Sequence, residues 1–290
     1  MLEILTYRNE RSETLVFSHT SVFCPQDVTG LTDVRSTIYS INSMGQDGDS
    51  YIASRIESRE IDLFGAIRER DPVKARELRR KLARVLNPKL SGVLSYQYGD
   101  FSRVIGCHPV SSPVVTKKPQ DIYHKFSVTF SCLDPFWREV SENRTDVAAW
   151  VGALEFPVNI PAAGMLVGYR QPSVIVNVYN GGDVESGIRA EMSAVDTVVN
   201  PKILNVMTSE FIRFILTLSA GDTLVVSTGY ADKWATYSHN DVEEDALKYL
   251  DIDSTFLTLD PGDNLIKYEA ESGVDNLEIV IYHNNRYLGV

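Results

Sequence analysis

Between residues 122 and 132 the side chains alternate without a break. Ile122, His124, Phe126, Val128, Phe130 and Cys132 fall on one side, and Tyr123, Lys125, Ser127 and Thr129 fall on the other. Successive side chains of an extended chain point to opposite faces, so a period of two predicts a half-buried β-strand. At about 3.3 Å per residue the run spans roughly 36 Å, enough to cross a two-layer domain or to join a neighbour's sheet. Asp134-Pro135 ends it, because proline removes a ladder donor and restricts the residue before it. The chain's 290 residues are about twice the ~150-residue prior for one domain. We therefore expect two domains, 1–137 and 138–290.

The second half repeats the theme in shorter pieces. Strands are expected over 172–179, 188–195, 211–218, 223–228, 234–238, 256–259, 265–269 and 277–282, with turns at Asn180-Gly-Gly-Asp183, Ala220-Gly-Asp222 and Pro261-Gly-Asp-Asn264. This spacing predicts an antiparallel sandwich or jelly roll. Residues 241–250 admit two readings: Val242, Ala246, Leu247 and Leu250 fit a short helix, whereas Leu247, Tyr249 and Asp251 fit the start of a strand.

One helix is expected, over 72–86, with Asp71 as N-cap, Pro72 at the first helical position and Asn87-Pro88 as the stop. Ala75, Leu78, Leu82, Val85 and Leu86 form an apolar stripe, while Arg76, Arg80 and Arg84 recur every four residues beside Arg79 and Lys81. Residues 42–50, Asn-Ser-Met-Gly-Gln-Asp-Gly-Asp-Ser, are turn formers with Met44 as the single apolar side chain, and they lead into a run that opens with Tyr51 and Ile52. That pattern predicts a loop or hairpin tip. Met44, Tyr51, Ile52, Arg76, Arg80 and Arg84 are the candidate subunit or partner interface, the arginines as donors of charge-assisted bonds to an acidic protein surface.

Charge is uneven: residues 1–137 carry 18 Lys+Arg against 16 Asp+Glu, and residues 138–290 carry 10 against 23. The acidic half disfavours nucleic acid and anionic membrane, and neither half is basic enough for a DNA reader. The first 20 residues lack an apolar core of signal-peptide length, and no apolar stretch reaches membrane-span length. A soluble chain is expected. Cys24, Cys107 and Cys132 are widely separated with no CxxC pair, which favours thiols over a zinc site or a disulfide.

No GxSxG, HExxH or GxxxxGK[ST] motif is present, and Asn180-Gly-Gly-Asp183 lacks the strand-to-helix setting that aims N–H groups at phosphate. His19, His108, His124, His239 and His283 have no recognisable nucleophile context. Neither an enzyme nor a cofactor or metal site is expected. Glu243, Glu244, Asp245, Asp251 and Asp253 fail the calcium-loop pattern, since Phe256 and Gly262 stand where glycine and glutamate are required; a solvated acidic edge is expected. Trp150, Trp234, Tyr230 and Tyr237 are candidates for stacking on sugar rings, although aromatics at alternate strand positions more often serve the core.

Arg59-Glu-Ile-Asp-Leu63, Ala75-Arg-Glu-Leu-Arg-Arg-Lys-Leu82, Leu86-Asn-Pro88, Gly92-Val-Leu-Ser-Tyr96, Arg103-Val-Ile-Gly106, Phe126-Ser-Val-Thr-Phe130 and Cys132-Leu-Asp-Pro-Phe-Trp137 follow one another in the first half. Asn180-Gly-Gly-Asp183, Gly221-Asp-Thr-Leu-Val225, Leu250-Asp-Ile-Asp-Ser-Thr-Phe-Leu257, Leu259-Asp-Pro-Gly-Asp-Asn-Leu-Ile266 and Tyr287-Leu-Gly-Val290 follow in the second. In this order they resemble the distal tail protein (Dit) family of long-tailed phages. The resemblance implies a mainly β protein: an N-terminal, β-sandwich-like ring domain with one α-helix, then a galectin-like antiparallel β-sandwich. It further implies a homo-hexameric ring that joins the tail tube protein to the baseplate hub or tail-tip protein. The ring would leave a channel through which DNA passes without specific binding. Catalysis and cofactors are not implied, and the implied location is the virion tail tip, after assembly in the host cytoplasm. Receptor-binding or other peripheral baseplate proteins are further implied partners, but the short connections predict no arm to carry them. The competing expectation is a carbohydrate-binding β-sandwich that recognises a receptor.

Overall fold

The computed structural model describes residues 3–118, 121–147 and 175–290, together with the short strands Trp150–Gly152 and Gly168–Arg170. The chain forms two compact units, Met1–Val140 with Arg286–Val290, and Ser141–Asn285. It thus leaves the first unit at 140/141 and returns to it at Arg286, a return that no sequence pattern announces.

The first unit contains β1 (Glu3–Asn9), β2 (Thr14–Ser18), β3 (Phe23–Thr29), β4 (Ser36–Ile41), β5 (Ser50–Ile56), β6 (Arg59–Ile67), α1 (Pro72–Val85), β7 (Gly92–Tyr98), β8 (Phe101–Pro109), β9 (Val114–Thr116), β10 (His124–Cys132) and β11 (Trp137–Arg138). Apart from β4 and β5, the strands pair in the order β11-β8-β7-β1-β2-β3-β6-β10-β9, with the terminal strand Arg286–Tyr287 beyond β11. An additional β8–β10 pairing, Phe130 opposite Pro109 and Ser131 opposite His108, closes this path on itself. The mainly β class holds, with α1 the single α-helix among the described residues, and the closure makes the first unit a barrel.

Alternation in β10 has the expected effect: Phe126, Val128, Phe130 and Cys132 are buried between half-exposed neighbours. The strand is shorter than expected, because Ile122 stays exposed and pairing begins at His124. The ring of Phe17 packs against those of Phe23 and Phe126, and Tyr7 packs against Phe130. In α1 the Asp71 carboxylate accepts from the Val73 N–H at 2.8 Å, while Leu86 serves as C-cap, its N–H donating to Leu82 O at 3.0 Å. The helix therefore ends one residue earlier than expected. Ala75, Leu82 and Val85 are buried, and covering a leucine or valine contributes about 1.5–3 kcal/mol each.

The second unit is built around two antiparallel sheets. One runs Asn143–Asp146, Leu277–His283, Ser186–Ala194, Thr223–Gly229, Asp232–His239, Val242–Asp245; the other runs Ile175–Asn180, Gly262–Glu269, Lys202–Asn205, Phe211–Arg213. Val178, Ile203, Ile212 and Ile266 of the second sheet share one core with Ala190, Met192, Leu224, Val226, Ile279 and Ile281 of the first. This is the expected sandwich.

Its details differ from the expectation, which lacked the strands Asn143–Asp146 and Lys202–Asn205. Pro261-Gly-Asp-Asn264 is not a free turn: the strand already begins at Gly262, and the buried Asn264 side chain donates to Asp260 O at 2.8 Å. The 211–218 segment splits into Phe211–Arg213 and Thr217–Leu218, because Phe214 and Ile215 donate instead to Pro201 O and Tyr249 O. Only Thr258–Leu259 of 256–259 is strand. Residues 241–250 combine a strand, Val242–Asp245, with a single 3-10 turn, Leu247–Tyr249, whose first N–H is capped by Asp245 at 2.9 Å. Residues 172–174 of the expected 172–179 strand lie outside the described residues. No helix among the described residues is long and apolar enough to cross a membrane.

Candidate functional site

β4 and β5 form a two-stranded sheet of their own, outside the barrel path. The register pairs Ile38 with Ser54, Tyr39 with Ala53, Ser40 with Tyr51 and Ile41 with Ser50, with a bulge that leaves Ile52 unmatched. The turn between them is made by Gly45 and Gly48 at φ +86° and +79°, a region that L side chains rarely adopt, and is closed by the Gln46 N–H to Ser43 O bond at 3.1 Å. At the base, Glu57 N–H donates to Arg35 O at 2.9 Å and Thr37 hydrogen-bonds to the Glu57 carboxylate.

Apolar side chains cover this ribbon, and all of them are exposed. Ile38 is 64% exposed, Tyr51 66% and Ile52 60%, Met44 is fully exposed, and Tyr39 and Ile41 are about half so. Alternation places Ile38 and Tyr51 on one face and Tyr39 and Ile41 on the other. A lone two-stranded hairpin is marginal in water, and contiguous exposed apolar surface marks an interaction site. The ribbon is therefore the candidate interface. Sequence reasoning found Met44, Tyr51 and Ile52 but missed Ile38, Tyr39 and Ile41. The signal was there: Thr37-Ile-Tyr-Ser-Ile41 is a β-branched and aromatic run immediately before the turn formers.

The three helix arginines are not equivalent. Arg76 and Arg80 are exposed and have no hydrogen bond or ion pair among the described residues, whereas Arg84 Nε lies 2.9 Å from Glu13 Oε1 within the same unit. The structure places the apolar candidates together on the hairpin and the arginines on a separate element.

The acidic edge is a correction. Glu243 and Asp253 are exposed, but Asp251 is buried and paired with Arg213, because its carboxylate also accepts the Asp253 N–H at 3.2 Å and shapes that loop. Glu244 is bound by Lys248 at 2.7 Å and by the Tyr249 hydroxyl at 2.9 Å. Among the described residues no group of His, Cys, Asp or Glu is arranged to hold a metal ion. Of the sugar-stacking candidates, Tyr230 is exposed, Trp234 is half-buried, and the Trp150 side chain lies outside the described residues. Tyr237 packs on the core and donates to Asp222 at 2.6 Å; burial, with Asp222 beside it, pushes its phenol up to about 12.

Known proteins place this arrangement. Residues 11–132 match the phage tail protein RIFT-related domain, and residues 181–287 match the siphovirus-type tail component, C-terminal domain. No curated protein sequence matches the chain. Among solved structures the fold is similar to the SPP1 Dit protein, described as a paradigm of the hub adsorption apparatus in phages that infect Gram-positive hosts. That likeness has a TM-score of 0.69 at 15% identity and covers 97% of this chain and 98% of that one. It is also similar to a chain of the phage P2 baseplate in its activated conformation with Ca, with a TM-score of 0.56 at 11% identity and full coverage of both chains. A chain of the same baseplate with Sr gives 0.53 at 11% identity, covering 97% and 98%. With its two halves matching these two tail domains in order, the chain belongs to the siphophage distal tail protein family, as a tail component.

Proposed function

We propose that six copies of this chain close into a ring that joins the tail tube protein to the baseplate hub or tail-tip protein and leaves a channel for DNA. The observation that carries this reading is the β4–β5 hairpin, whose two faces both present uncovered apolar side chains. A cyclic array needs a head-to-tail contact, in which one patch meets a different patch on the next copy. A separate two-stranded ribbon with exposed apolar side chains on both faces supplies one half of such a contact. Covering the exposed part of its six apolar side chains contributes up to roughly 1.5 kcal/mol apiece, against about 4–15 kcal/mol of lost rigid-body freedom. One contact is therefore marginal, and ring closure or a tube or hub partner is what makes the assembly persist.

The likeness to a hub adsorption protein and to baseplate chains supports tail and baseplate partners. The nearly balanced charge of residues 1–137 suits a ring that lets DNA pass without gripping it. Assembly in the host cytoplasm, and attachment of receptor-binding or other peripheral baseplate proteins, belong to the same proposal. Electron microscopy of native particles tests it: six-fold rings between tube and hub are expected, and copies arranged without cyclic symmetry would overturn it.

A further inference from the structure

Two of the three cysteines meet at the place where the barrel closes. The β8–β10 seam pairs Phe130 with Pro109 and Ser131 with His108, and one step further along this antiparallel register Cys132 stands opposite Cys107. Both side chains are buried in the same core. The Val110 N–H donates to Thr129 O at 2.9 Å, which makes 110/129 a hydrogen-bonded pair. The alternation of antiparallel ladders then makes 108/131 hydrogen-bonded and 109/130 and 107/132 non-hydrogen-bonded, in keeping with a proline at 109. Non-hydrogen-bonded partners have Cα atoms about 4.5 Å apart, within the roughly 4.4–6.8 Å that a disulfide spans. The seam pairs only two residues of each strand, whereas β10 pairs with β6 along its whole length.

We propose that Cys107 and Cys132 are a cross-strand thiol pair that oxidises to a disulfide and so locks the barrel of the first unit. The oxidant is a small-molecule disulfide of the glutathione class. The thiolate of one cysteine of the pair attacks one of its sulfurs and releases one small thiol. The other cysteine then attacks the first in the mixed disulfide and releases the second. Two electrons pass to the small disulfide, and the two protein protons leave on the released thiols. Cys132 as neighbour, together with burial, holds the Cys107 thiol well above its ordinary pKa, so thiolate is scarce and the closed barrel reacts slowly. In a reducing compartment the pair stays as thiols, and in an oxidising exterior it closes whenever the seam opens. Cys24 takes no part, since it lies on β3 beside His19.

The test uses the full chain, incubated with oxidised glutathione at a denaturant concentration where hydrogen exchange shows β8 and β10 opening. It is then alkylated in full denaturant and mapped by mass spectrometry. The expected product is monomeric and lighter by two hydrogens, with one alkylated cysteine instead of three and a reducible cross-link joining the peptides that contain Cys107 and Cys132. Its Tm should rise by about 5–10 °C, and Cys24→Ser should leave the cross-link unchanged. Three alkylated cysteines under these conditions, a cross-link that includes Cys24, or a link between chains would overturn the proposal. The mapping uses the natural sequence, so its outcome does not depend on any variant folding.

Discussion

The buried guanidinium of Arg59 donates to the main-chain carbonyl of Leu288, so the end of the chain is held by a residue 229 positions earlier. The same side chain donates to Pro135 O at 2.8 Å and to Gly30 O and Leu31 O at 2.9 Å. Burial lowers its pKa from the usual value, but a guanidinium remains charged at neutral pH. The terminal strand adds Arg286 to Asp134 at 2.7 Å, the Tyr287 hydroxyl to Glu139 at 2.7 Å, and the Tyr287 ring 3.6 Å from the Arg103 guanidinium.

Arg59→Met should therefore destabilise the first unit by about 3–5 kcal/mol, since buried carbonyls lose a charged donor. Arg59→Lys should recover only part of this, because an ammonium lacks the planar fork. Removing residues 286–290 should also weaken the first unit, and the two changes together should cost less than their sum. Denaturant unfolding followed separately for each unit checks this; additive losses would show that Arg59 does not act through the tail.

How much of this was legible beforehand depends on the range of the interaction. The alternation in β10 and the cap at Asp71 are local, and both could be read from the residues themselves. Arg59 could not: its neighbours read as a strand with one charged residue, and its four acceptors come from three distant segments. Barrel closure is hidden for the same reason, since the seam joins β8 to β10 through residues with no distinctive signature. In the candidate interface, the turn formers exposed the tip. The flanking Ile38 and Ile41 look like core residues until the structure shows each more than half exposed.

The helix arginines should separate into two classes. Arg76→Glu with Arg80→Glu should leave the Tm of the chain nearly unchanged, because exposed, unpaired charges contribute little to folding. Arg84→Glu should cost about 0.5–1 kcal/mol, since it sets a like charge against Glu13 and reverses a favourable charge in the last helical turn. If the first pair also blocks incorporation into tails, the exposed row is a partner surface. Normal incorporation would reduce it to a solvated face.

Acid should weaken the second unit through Asp222. Burial alone would raise its pKa, but bonds from the Tyr237 hydroxyl, the Ser219 N–H and His239 outweigh this and hold it below the ordinary value. Asp251 is held down likewise by the Asp253 N–H and by Arg213. A depressed folded pKa gives stability that is complete above the unfolded value of about 3.9 and is lost as pH falls through the folded one. The denaturant midpoint of this unit should therefore fall between about pH 5 and pH 2. Asp222→Asn should flatten that fall, and an unchanged slope would remove Asp222 from the explanation.

The hairpin makes the sharpest demand on the ring proposal. Its apolar side chains are exposed in the single chain, so Ile38→Asp and Tyr51→Ser should change folding stability by no more than about 0.5 kcal/mol each. At a docked interface the same changes should matter far more. Truncating a buried aromatic anchor commonly costs about 2 kcal/mol or more, and each ~1.4 kcal/mol is tenfold in affinity. The two changes lie on one face of the ribbon, whereas Tyr39→Ser and Ile41→Asp lie on the other. Comparing the pairs shows which face docks, and deletion of residues 43–49 separates the tip from both. Thermal melts should be nearly superimposable across the set, while particle incorporation, read by electron microscopy and by the amount of chain in purified tails, should collapse for at least one face. Normal six-fold rings from both face variants and from the tip deletion would leave the hairpin without a role in assembly, and its exposed isoleucines without an explanation.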